Sequence, residues 1–395
     1  MSKLHLHFRA FLIIFFVGYY FFVGSIFVLG MDVVIWRPSE TGDEITSVGR
    51  TLEMAQDGGL LFQERNGGIH AIEPQMIVKG TRNNVAFTPF SREEMEENLR
   101  EEFPKDFKIY RTKHYLICYN TSSTYARWCG NLLEGLYSAF QKFWEGKDFE
   151  LLEPEFPLVM IIFSSVKDYK AYGADALGEM EDTIVGYYSI ATNRMVCYDL
   201  TGAEVYAAMR KVSATVTYRA LSRAILNRPQ AEGQIATIIH EATHQLAHNR
   251  GMVARFADVP LWYNEGISLF FETPNMKSEK GWASAGRLNR SRAIQHKNYL
   301  VRRQEGSLRK MLSDDSILRS PETGADMYAE AWGLTYYFLK VRPEDFVKYA
   351  KKISTKKPLL WDDKEVRIQN FEECFGNVEE VERDFIKYMK KLKVK

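Results

Sequence analysis

The chain has 395 residues and carries 52 Lys and Arg against 51 Asp and Glu, a formal net charge of +1. That balance excludes a function driven by whole-chain attraction to nucleic acid. With 46% hydrophobic and 13% aromatic residues the sequence is also far from disordered compositions, and its length calls for about two folded units.

Lys3 and Arg9 precede an uncharged stretch, Ala10 to Met31, long enough to cross a bilayer. It exceeds the apolar region of an ordinary secretory signal, about 7–15 residues, and no A-x-A site follows. Residues 1–31 therefore read as an uncleaved signal anchor, with a signal peptide cut after Gly30 as the alternative. Positive charge ahead of the span puts the remainder outside the cytoplasm. Residues 31 to about 60, with Pro38, Gly42 and several charges, read as a linker. LLFQERNGGIHAIEP then predicts two strands around Asn66-Gly67-Gly68, and Ser91 with Glu94 predicts a capping box on a short helix. Together residues 32–105 form an expected small β-containing adaptor. From 106 the pattern predicts the strand YLICY, a helix from Tyr125 to Trp144, the strand PLVMIIF, a hairpin through VGYYSIATNRMVCY, and then mostly helices. Strands followed by helices predict an α+β fold with a small mixed sheet and a helical lobe over residues 106–395.

The run TIIHEATHQLAHN sets His240 and His244 four apart around Glu241. Side chains at i and i+4 share a helix face about 5–6 Å apart. Two imidazoles can therefore take one Zn²⁺, with Glu241 beside a water as general base. Ile235, Ile238, Ile239, Ala242 and Leu246 form an apolar stripe on the opposite side of a helix predicted over 235–248. Three of the eight histidines fall within the nine residues from His240 to His248, where a merely solvated face would use Lys and Glu.

A catalytic zinc site takes a third protein ligand, and ADVPLWYNEGISLFFE offers Glu265. Asp258 and Pro260 read as helix-start residues, while Ile267, Phe270 and Phe271 can pack inward. Gly251 and Pro260 supply the turn that brings this helix back on the first. Glu272, seven residues beyond Glu265, reads equally as a partner for a histidine ligand or as an exposed glutamate. His248 falls outside the ligand set. In the metzincin arrangement a third histidine follows a glycine turn, six residues past the second, whereas His248 comes four past it on the same helix.

With these residues in place, the chain resembles the gluzincin clan of zinc metallopeptidases. The likeness is to the aminopeptidase-N-like branch, whose third ligand sits in a WLNEG-type motif where this chain reads WYNEG. From TKHYLICYNTSSTYARWCGNLL through HEATHQLAHNRG to YAEAWGLTYYFL, roughly residues 106 to 390, it looks like a bacterial envelope family catalogued as domain of unknown function 1570. The resemblance implies a zincin-like catalytic domain with Zn²⁺ on His240, His244 and Glu265, and Glu241 as base. It also implies that Tyr328 hydrogen-bonds the tetrahedral intermediate, the other reading of Tyr328 being an aromatic packed on Trp332. Gluzincins place a sheet-edge strand beside the zinc, and the hairpin from Tyr187 to Cys197 is the candidate. The GAMEN segment that recognises a free amino terminus is missing, so aminopeptidase specificity does not carry over.

The expected function is a membrane-anchored or secreted, extracytoplasmic zinc peptidase of the cell envelope acting on peptide or protein substrates, without nucleic acid as partner. The alternative is a non-catalytic, zinc-stabilised scaffold. An intramembrane protease is excluded, because Gln234, Thr237, Gln245, His248 and Asn249 surround the motif and no second membrane-length segment exists. From Lys277 to Lys310 ten basic residues face only Glu279 and Glu305, either a solvated face or a wall for acidic ligands. Cys118, Cys129, Cys197 and Cys374 allow disulfides outside the cytoplasm, although Cys129 sits on the apolar stripe of its helix and reads as a core thiol.

Overall fold

A computed structural model describes residues 30–39, 42–177, 184–199, 217–228, 231–273, 275, 282 and 285–394. The predicted apolar span lies outside these as far as Leu29, and Gly30 and Met31 belong to the first strand. Among the described residues no helix is long and apolar enough to cross a membrane.

Strands β1 (Gly30–Trp36), β2 (Ile45–Met54), β3 (Leu60–Glu64), β4 (Ile69–Ile72) and β5 (Ile77–Ala86) form an antiparallel sheet in the order β4-β3-β2-β1-β5. The linker reading of residues 31 to 60 is thus corrected. Val33, Val34 and Ile35 pair with Thr46, Ser47 and Val48 as β-branched residues favour, while Pro38 and Gly42 lie in the connection. The predicted hairpin is present, with Gly67 at φ +89 in its turn. Ser91 caps helix α1 (Arg92–Glu102) through the predicted reciprocal bonds with Glu94, at 3.1 and 2.8 Å.

The second sheet contains β6 (Lys108–Arg111), β7 (Tyr115–Tyr119), β8 (Leu158–Phe163), β9 (Gly186–Ser189) and β10 (Arg194–Tyr198), in the order β6-β7-β8-β10-β9. Its inner pairs are parallel and its outer pairs antiparallel. YLICY and LVMIIF are uninterrupted apolar runs because both faces of the sheet are covered. Tyr115, Ile117 and Tyr119 meet helix α2 (Ser123–Glu145) through Trp128, Cys129 and Leu132. Leu116 and Cys118 face the other way, against α1 and α3 (Val166–Leu177).

The rest is helical: α4 (Tyr218–Leu226), α5 (Ala231–Asn249), α6 (Leu261–Phe271), α7 (Arg290–Tyr299), α8 (Ser307–Ser313), α9 (Ser316–Arg319), α10 (Gly324–Val341), α11 (Pro343–Ser354), α12 (Lys364–Phe375) and α13 (Val378–Lys391). The fold is α+β, with two small sheets and a helical lobe. Aromatic contacts close that lobe, Phe338 stacking on Phe375 at 3.9 Å and Trp262 meeting Tyr349 at 5.4 Å. Four of the ten basic residues in the 277–310 segment are paired with acids distant in sequence. Arg292 meets Glu272, Arg302 meets Asp326, Arg303 meets Glu330 and Glu382, and Arg309 meets Glu379. All four cysteines are free and buried, and burial pushes the Cys118 thiol up to about 12.

Candidate metal centre

Helix α5 carries the centre because its sequence is two-faced. Ile235, Ile238, Ile239, Ala242 and Leu246 are buried in the main core. The helix closes at Gly251, whose left-handed φ of +79 lets the Met252 N–H donate to the Ala247 carbonyl at 3.0 Å. The chain then returns to pack α6 against α5. The first N–H of α6, from Leu261, donates to Asp315 Oδ1 at 2.9 Å. Asp258, expected at this helix start, instead lies buried in ion pairs with Arg367 and Lys356. Gly266 permits a close crossing: a Cβ there would lie 2.1 Å from Thr335 Oγ1 on α10. Glu265, its neighbour, is thereby carried into the space between α5 and α10.

His240 Nε2 lies 3.1 Å from Glu265 Oε2 and 3.1 Å from His244 Nε2, and His244 Nε2 lies 3.6 Å from Glu265 Oε1. Bonds of about 2.0–2.2 Å to tetrahedral Zn²⁺ set neighbouring donors about 3.3 Å apart. The three groups therefore converge closely enough to hold one metal ion between them. His240 Nδ1 faces Glu272 Oε2 at 2.9 Å. An ionised carboxylate only accepts, so Nδ1 carries the proton and, in the neutral ring, Nε2 turns a lone pair toward the other donors. Burial opposes charge on His240, but the carboxylates of Glu265 and Glu272 outweigh it and hold its pKa well above the usual imidazole range. Burial likewise opposes charge on Glu265, yet His244 and His240 hold its carboxyl far below the usual value.

Glu272 is 5% exposed, so the solvated reading of this residue is corrected. Its Oε1 accepts from Asn289 Nδ2 at 2.9 Å and from Arg292 Nε at 3.2 Å, which fixes the carboxylate against His240. Glu272→Gln is expected to weaken Zn²⁺ binding about 10–100-fold, as measured by competition with a chromogenic chelator. Unchanged affinity would show that Glu272 does not orient the ring.

Glu241 stands outside the donor group, with its Oε2 accepting the Tyr188 N–H from edge strand β9 at 2.9 Å. Burial raises its pKa, more than the two imidazoles lower it. Tyr328, on α10, lines the same cavity, and burial followed by the charge of Glu265 pushes its phenol up. Trp332 stacks on Tyr336, centroids 5.3 Å apart, and Tyr328 packs against the core cluster that contains both. His248 lines the cavity without joining the donors, and burial pushes it down to about 3. The cavity of about 890 Å³ runs along α5 past Glu232, Thr237 and His248, with Ser291, Arg292 and Tyr328 opposite. Asn289 escaped the sequence reading, since no helical period links it to the motif, whereas Arg292 belongs to the basic run and Tyr188 to the hairpin expected as the edge strand.

A family model described as "Protein of unknown function (DUF1570)" matches residues 234–360, in agreement with the resemblance read from the sequence. The match begins six residues ahead of His240 and runs through Glu265 and Tyr328; it covers under half of the chain and only part of the 106–390 span of the resemblance. No curated protein matches the chain.

Proposed function

We propose that the chain is a zinc-dependent peptidase of gluzincin type, built on a zincin-like α5–α6 pair. The observation that carries this reading is the triangle of His240, His244 and Glu265 with Glu241 beside it. A divalent cation held by the triangle would polarise a carbonyl and make water more acidic. Glu241, whose carboxyl pKa burial raises above the ordinary value, takes the proton from the attacking water and passes it to the leaving nitrogen. Tyr328, kept protonated by burial and by Glu265, donates to the carbonyl oxygen as it gains charge.

The chain's own backbone orients the substrate. In an antiparallel ladder a residue's N–H and C=O point to the same side, so the Tyr188 carbonyl faces the cleft with the N–H that Glu241 accepts. An extended peptide laid along β9 pairs with that side. Glu232 and His248 are about 24 Å apart along α5 at 1.5 Å per residue, with His240 midway. That length accommodates about seven extended residues, which favours cleavage of internal bonds. The uncharged stretch from Ala10 supports an extracytoplasmic, anchored or secreted domain.

Peptides blocked at both ends are expected to be cut by the protein loaded with Zn²⁺, to survive after chelation, and to be cut again once Zn²⁺ is restored. Bound zinc with no cleavage across a broad blocked-peptide library would sink the peptidase reading in favour of a scaffold. Cleavage confined to peptides with a free end would overturn the internal-bond assignment.

A further inference from the structure

Strand β9 is four residues long and bonds within its sheet to β10 alone. Its place over the centre therefore depends on what holds the turn that follows, residues 190–193. The turn is gripped from two sides. On the α5 side, Glu241, Gln245 and Asn249 recur every four residues and form a second row beside the histidines. Glu241 takes the Tyr188 N–H, and Gln245 Nε2 donates to the Asn193 carbonyl at 3.1 Å. The Asn193 and Asn249 amides exchange bonds of 2.8 and 2.7 Å. Asn193, at φ 61, is of a residue type that adopts this conformation readily.

On the other side stands the N-terminal sheet. The Ile69 N–H of β4 donates to the Ala191 carbonyl at 2.7 Å. Arg255, from the loop between α5 and α6, donates through Nη1 to the Gly67 carbonyl at 2.7 Å and to the Ile190 carbonyl at 3.2 Å. Its planar head joins the backbone of one sheet's turn to that of the other and so fixes their separation. Ile190 itself lines the cavity.

We infer that the N-terminal sheet braces the rim of the cleft, with Arg255 as the positioning residue that sets the distance between β9 and Glu241. This rests on the proposed peptidase reading for its functional half; the brace stands on the hydrogen bonds alone. Residues of the N-terminal sheet, which do not line the cavity, would then govern how firmly a substrate is held without touching it.

The test is Arg255→Met in the full chain, which keeps the stem and removes the donors. Amides of residues 188–193 are expected to exchange hydrogen about tenfold faster. Zn²⁺ content stays at the wild-type level, and KM for a blocked peptide rises about tenfold with kcat within about twofold. Arg255→Lys, with a single donor head, should recover part of both effects, and it supplies the same readouts if methionine is not tolerated. Unchanged exchange at 188–193 overturns the brace whatever the peptide assay shows. Faster exchange with an unchanged KM overturns the positioning role. A wild-type protein that cuts no peptide defeats the peptidase reading, while the exchange measurement still decides the brace.

Discussion

Replacing Glu241 by Gln is expected to lower peptide hydrolysis by about 10²–10⁴-fold, the range of a lost general base, while zinc content stays unchanged. Glu241 is not one of the three converging donors, so the ion has no direct claim on it. Glutamine keeps the shape of the side chain and still offers an oxygen to the Tyr188 N–H. What disappears is the ability to hold a proton between attack and departure of the amine. The loss should therefore fall on kcat, with KM little altered. Elemental analysis beside steady-state kinetics checks both halves, and full activity in a zinc-loaded variant would remove Glu241 from the mechanism.

The centre was legible where a helical period connects its parts. His240, Glu241 and His244 share one helix with an apolar stripe behind them, and both facts sit within fourteen residues of sequence. Glu265 and Glu272 were reachable because they lie seven apart on one buried helix, the first in its middle and the second at its C-terminal end. Asn289 and Arg292 bind Glu272 from beyond a long connection, so no spacing rule leads to them. The first two strands were misread because Pro38, Gly42 and several charges dominate the local composition, although Pro38 and Gly42 occupy only the link between β1 and β2, and Asp32, Arg50 and Glu53 sit within the strands. The contact between the N-terminal sheet and the 190–193 turn had no sequence signal, since Ile69 and Ala191 meet through backbone atoms that any residue carries. The row of Glu241, Gln245 and Asn249 was visible at a spacing of four. What the structure adds is that this row hydrogen-bonds the backbone and turn of the hairpin expected beside the metal.

Glu265→Ala is expected to cost more than Glu272→Gln, with Zn²⁺ affinity falling by more than about 100-fold, beyond what losing an outer partner alone brings. His240 and His244 are neutral when they bind a cation, so Glu265 supplies the negative charge among the three donors. It also supplies the corner that α5 cannot provide, because a third position on the same helix, His248, lies outside the donor group. The variant leaves two imidazole nitrogens 3.1 Å apart with no carboxylate to set against the ion's charge. Fold and metal binding separate in this test. Alanine is a strong helix former in the middle of α6, and it removes a carboxylate that burial disfavours. The zinc-free variant should thus melt cooperatively and keep its helix content by circular dichroism. Competitive zinc titration and blocked-peptide cleavage should both fail. Wild-type zinc affinity in a folded Glu265→Ala protein would remove Glu265 from the ligand set and, with it, the gluzincin reading of WYNEG.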